Sequence, residues 1–344
     1  MVEKFITEQQ LADALYMCSG DIFNMVDILR FLCTPQLNKD NAMRFICYLI
    51  TLKVMPLDRP KWIPSILKYG QYYQDTMKRS FEDCYTNPTE AVTGQTAKDI
   101  DEAIHKRFDW CLFFGYQLKV DRYYLQDAEL RVKRLFCTYM LEFSKPEILP
   151  EYVTFAYASY MMGLLFAIQS GLPSFFAEAI GYQMFLALVK MNKYNHQMLE
   201  LGYSKEHAEK FIDLFHYFCP KLQKEMKVIG FDVLDYVFHW DFTLYTEEHV
   251  PLNLLLVWDN IFFHIDEYQF YIRFLHIAHL RQMEKDKVDF TSKESIESIK
   301  WNAVEILKDC EDLMEKDIAR VKFNYWAFCP CYNLCPHLSL RGKK

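Results

Sequence analysis

Residues 238–259 read FHWDFTLYTEEHVPLNLLLVWD, with Trp240 and Trp258 standing 18 residues apart around an apolar run. Large aromatic side chains at helical spacing usually serve packing, so both tryptophans are expected as core anchors. Asp259 follows Trp258 directly and reads as a helix cap or an acceptor for a backbone amide. Glu247-Glu248-His249, just before Pro251, reads as a solvated turn. Upstream, Pro220 marks the start of a segment that runs to Gly230, and Ser204 is placed to cap the helix before it, which carries Ala208, Phe211 and Phe215. Downstream, Thr291 and Glu294 form a capping box. It is expected to open one helix with Ile296, Ile299, Ala303, Leu307, Cys310 and Met314 along a face.

Composition points the same way. The chain has 344 residues, of which 51% are hydrophobic and 17% aromatic, with only 10 Gly and 12 Pro. So few turn formers disfavour an all-β fold and favour helices joined by short connections. A net charge of -7 and a pI near 5.8 leave no electrostatic footprint for nucleic acid. The 11 cysteines lie scattered in apolar segments, which is buried-thiol usage in a reducing compartment. MVEKFITEQQ at the start has no basic flank before an apolar run, so a cytoplasmic location is expected.

Residues 152–177, YVTFAYASYMMGLLFAIQSGLPSFFA, carry no formal charge and are long enough to span a membrane. Ser170-Gly171-Leu172-Pro173 breaks the run, and a buried helical hairpin at the centre of a domain is the expected structure. At the N-terminus, Thr7 with Gln10 opens one helix, Asp21 a second, and a third runs from about Asn41 to Val54. The polar stretch from Tyr85 to Lys98 reads as an exposed loop.

Three blocks resemble the TBC family of Rab GTPase-activating domains. The first is Leu118-Lys-Val-Asp121-Arg-Tyr-Tyr124 with the Ala128–Tyr139 segment after it, similar to the family's apolar-x-x-Asp-x-x-Arg element and following helix. The second, Pro150 to Leu165, resembles the small-residue end of the helix that the family opens with Gly-Tyr-x-Gln-Gly. The third joins Pro220, Gly230, Phe238-His-Trp240, Pro251 and Val257-Trp258-Asp259. The resemblance implies an all-α, multi-helix TBC domain over residues 59–317, after a short helical N-terminal extension at 1–58 and before a Cys- and aromatic-rich tail at 318–344. It also implies a Rab-type small GTPase as partner, a place in vesicle trafficking, and no cofactor.

Activators of this family supply an Arg that offsets charge on the transferred phosphoryl group and a Gln that orients the attacking water. Such an Arg is worth about 10³–10⁵ in rate, roughly 4–7 kcal/mol of barrier. Aligned on Asp121, Tyr124 stands at the Arg position; aligned back from Gly163, Ala156 stands at the Gln position. A phenol carries no positive charge, and no Gln occurs between Gln126 and Gln169. Arg122 lies two residues early and would point roughly 200° away on a helix. The leading expectation is therefore a catalytically degenerate domain whose GTPase-binding surface includes Asp121, Arg122, Tyr124 and Ala156. An active domain with Arg122 as a displaced finger, and an adaptor that binds no GTPase, stand as alternatives.

In the tail, Cys329, Cys331, Cys335 and His337 fit three readings: S-acylation with peripheral membrane contact on endomembranes, a zinc site, or simple packing. His276 and His279 share a helix face without a carboxylate at metalloprotease spacing and read as structural. Phosphate-binding and nucleophile-elbow motifs are missing from the sequence.

Overall fold

The structure, a computed structural model, describes Ile28, Phe31, Leu32 and residues 40–80, 95–143, 150–200 and 203–326. The helix expected from Thr7, most of the 85–98 loop and the Cys-rich tail lie outside these residues, as does the helix expected from Asp21 except for Ile28, Phe31 and Leu32, which are helical. In chain order the helices are α1 (Asn41–Thr51), α2 (Trp62–Ser80), α3 (Gln95–Gln117), α4 (Arg122–Leu125), α5 (Ala128–Glu142), α6 (Pro150–Gln169) and α7 (Ser174–Glu200). They continue as α8 (Tyr203–Phe218), α9 (Pro220–Ile229), α10 (Val233–Thr243), α11 (Pro251–Phe263), α12 (Tyr268–Lys285), α13 (Lys293–Glu297) and α14 (Ala303–Trp326). No strand occurs among the described residues. Gln95–Lys98, expected in the loop, already form the first turn of α3.

The chain divides into two compact units, residues 1–210 with 232–268 and residues 211–231 with 269–344. In the first, the hairpin of α6 and α7 is the centre, with α1, α3 and α5 packed on α6 and α2 on α7. Among the described residues α6 alone is long and apolar enough to cross a membrane, but 83% of Tyr152–Gln169 is buried inside the protein. A helix that is apolar all round needs neighbours on every side, and here other helices supply them. The break after α6 is a left-handed cap: Gly171 takes φ +65, Leu172 N donates to Ala167 O at 2.8 Å and Gly171 N to Ile168 O at 3.2 Å.

The two hairpin helices approach at glycines. A Cβ on Gly163 would lie 2.5 Å from Ala177 O, and one on Gly181 would lie 2.9 Å from Ser159 O. Gly163→Ala should therefore destabilise by about 1–3 kcal/mol, because the gain in helix propensity is smaller than the cost of forcing backbones apart. A denaturation midpoint equal to wild type would show that the hairpin does not pack this closely.

Buried charge ties the hairpin to its neighbours. Glu178 on α7 accepts from Arg131, Arg134 and Tyr73, so α2, α5 and α7 share one carboxylate. Burial, and then Glu178 itself, push the Tyr73 phenol well above its usual range and keep it a donor.

In the second unit, the single helix expected from Thr291 is two. Ser292, not Thr291, caps α13 by accepting from Ser295 N at 3.2 Å, and Asn302 caps α14 by accepting from Glu305 N at 3.3 Å. The Gln282 amide holds the break open, donating to Lys300 O at 2.9 Å and accepting from Asn302 N at 3.0 Å. The periodic face read across residues 296–314 is real only from Ala303 onward. His276 and His279 are both buried in α12.

Candidate functional site

The Asp121 block folds into a closed corner between α3 and α4. Lys119 takes left-handed backbone at φ 58, while Val120 N donates to Gly115 O at 2.9 Å and Lys119 N to Tyr116 O at 3.1 Å. Asp121 then caps α4, its carboxylate accepting from Tyr123 N at 2.8 Å. Leu125 anchors the corner: a Cβ on Gly115 would lie 2.9 Å from both Leu125 methyls and 3.2 Å from the methyl of Met161 on α6. The turn is fixed by its own hydrogen bonds and by packing on α6.

What the corner presents is aromatic. Tyr123 is 72% exposed and Tyr124 41%, with their rings edge to face at 5.5 Å. On the adjoining end of α3, Tyr116 is 80% exposed and Phe113 also faces solvent. Four exposed aromatics on one corner far exceed the scattered single residues of an ordinary surface. Asp121, Arg122 and Lys119 are exposed around them, so Arg122 is the guanidinium this turn offers. Phe113 and Tyr116 escaped the sequence reading because their period on α3 is also that of a core face; only the packing of α3 showed which face remained outside.

Position 156 is different. Ala156 is fully buried in α6, so it forms no part of a contact surface, contrary to the role implied by the family motif. Laying Tyr-x-Gln of that motif on Tyr152-Val153-Thr154 moves the position to Thr154. That residue is buried too, and its hydroxyl finds no hydrogen-bond partner. Both residues therefore belong to the core of the first unit.

The residues of the third block are interior. Trp240 and Trp258 are both fully buried, and Trp258 Nε1 donates to Leu244 O at 2.9 Å. Asp259, inside α11, serves a buried ion pair. Its carboxylate accepts from Arg44 Nε at 2.9 Å, Arg44 Nη2 at 3.1 Å and Tyr48 Oη at 2.7 Å, all on α1. Burial opposes the Arg44 charge, but Tyr48 and Asp259 more than offset this and its pKa lies above the ordinary range. α1 is therefore locked to α11 within the first unit. The turn at Glu247-Glu248-His249 is not solvated either: the Glu248 side chain is 8% exposed, and His249 is buried against Tyr245. Among the described residues no three His, Cys, Asp or Glu side chains are placed to hold a metal ion.

No family model and no curated protein matches the chain by sequence. Its structure is similar to that of the Ypt/Rab-GAP domain of Gyp1p, with a TM-score of 0.61 at 10% identity, over 92% of this chain and 100% of that one. The fold is that of a Rab-GAP domain. In this fold the Asp121 corner is well formed and ends in two exposed tyrosines, while Thr154 and Ala156 of α6 are both interior.

Proposed function

We propose that the chain binds a Rab-type small GTPase through the α3–α4 corner without accelerating GTP hydrolysis. The observation that carries this reading is the corner itself, capped by Asp121 and anchored by Leu125, with Tyr124 exposed at the position where the family resemblance puts the guanidinium. A finger Arg acts by placing positive charge where the transition state needs it, and a neutral side chain cannot replace that contribution. Exposed tyrosines suit a binding role, since their rings offer large contact area at low entropy cost. The buried free thiols support a cytoplasmic location; the Cys329–His337 segment, for which membrane contact is one of three readings, lies outside the described residues.

The exposed guanidinium of Arg122 on the same turn supports a second reading, an active domain with a displaced finger. Single-turnover hydrolysis by a panel of GTP-loaded Rab-type GTPases, with and without the chain, separates the two. The expected result is measurable binding with no rate change beyond about twofold, and the same result for Arg122→Ala. Acceleration by roughly a hundredfold or more that disappears in Arg122→Ala would replace this proposal with the active reading. Binding to no member of the panel would leave the fold as a scaffold for other partners.

A further inference from the structure

The connector between α10 and α11, residues 244–250, combines a strained backbone with a compact ionisable cluster. Leu244 and Tyr245 are buried and both left-handed, at φ 47 and 63, a conformation that disfavours any residue with a Cβ. The connector and the start of α11 grip α3 at two places. Arg107 pairs with Glu247, and Gln117 Oε1 accepts from Leu252 N at 3.2 Å. On the other side His239 of α10 lies between two carboxylates, its Nε2 3.2 Å from Glu247 Oε2 and 3.9 Å from Glu248 Oε1. Glu248 points inward, and its Oε2 has no hydrogen-bond partner.

We propose that this connector is an acid-closed strap on α3 that is released when the Glu248 carboxylate ionises. The groups facing Glu248 are His239 and Trp240 from α10 and the neighbouring Glu247, with Arg107 of α3 beyond Glu247. Burial raises Glu248 from its ordinary 4.5 to about 7; His239, its own backbone amide and the Trp240 indole draw it down, and Glu247 pushes it up. Glu247, hydrogen-bonded to His239 and facing Arg107, is held below its ordinary value and stays anionic. His249 is pushed down to about 3 by burial and stays neutral throughout.

The sign follows from linkage. The closed strap holds its proton more tightly than an open, hydrated Glu248 would. Closure is therefore fully favoured below about 4.5 and loses that support as pH rises through about 7. The segment of α3 gripped at Arg107 and Gln117 also carries Phe113 and Tyr116, so release changes what holds the aromatic corner. The strap itself stands apart from the binding reading, which has its own experiment.

Hydrogen exchange of the 244–250 amides in the full chain, at about pH 5 and about pH 8 and corrected for intrinsic rates, tests the strap. Opening should rise by roughly tenfold or more with pH while amides of α7 remain protected. Glu248→Gln, neutral at both values, should keep the strap closed and the profile flat. Glu247→Gln removes the like charge and should move the profile to lower pH. A flat wild-type profile, a pH dependence that survives in Glu248→Gln, or exchange of the connector only together with α7 would each overturn the proposal.

Discussion

Replacing Asp259 with Ala should lower stability by about 3–5 kcal/mol, the range for removing one partner of a buried ion pair. Both members of the pair are fully buried. Truncation leaves the Arg44 guanidinium uncompensated, with only the Asn41 side-chain oxygen, 2.6 Å from Nη1, among its described partners there. Tyr48 would keep Leu255 O, at 3.0 Å, and lose the carboxylate. The thermal midpoint should fall by roughly 10 °C for a domain of this size. Replacing both partners, Arg44→Met with Asp259→Leu, should recover most of the loss, because the cost lies in the unpaired charge and not in the absence of a pair. An unchanged midpoint in Asp259→Ala would mean that α1 is not locked to α11 by this contact.

Ala156→Gln should cost about 3 kcal/mol or more and should not install a water-orienting amide. Four additional heavy atoms enter a fully buried site, which overpacks it by about 1–3 kcal/mol. The amide also loses water without a ready partner, at a cost of about 2 kcal/mol or more. Combining it with Tyr124→Arg therefore gives a destabilised protein and no hydrolysis beyond what Tyr124→Arg alone confers. Equilibrium denaturation of each variant, beside single-turnover hydrolysis with a binding GTPase, checks both parts. Wild-type stability in Ala156→Gln together with a gain in hydrolysis would show that α6 opens to the surface in solution.

The fold was largely legible because its signals are local. The apolar run 152–177 with a Gly-Leu-Pro break reads as two helices regardless of context, since Gly171 supplies the left-handed cap and Pro173 cannot continue the helix. Asp121 as a helix cap belongs to the same class: a short polar side chain at the start of a helical turn satisfies a backbone N–H two residues on. The 291–314 helix was misjudged because periodicity cannot see Gln282, which arrives from another helix and stabilises a break the pattern runs straight across.

The candidate site was legible in its chemistry and not in its exposure. That Tyr124 is not a guanidinium, and that no Gln lies between Gln126 and Gln169, is decided by the sequence alone, because side-chain identity sets charge and no fold can alter it. Tertiary structure alone decided that Tyr124 faces solvent while Ala156 faces the core, because each depends on which neighbours cover a helix face. The same holds for Asp259, whose partners Arg44 and Tyr48 lie 215 and 211 residues away, and for Glu248, a turn residue by sequence but a buried acid once α10 packs beside it. Local grammar shaped the helices and their caps; burial, a property of the whole fold, assigned each polar group to surface, ion pair or strap.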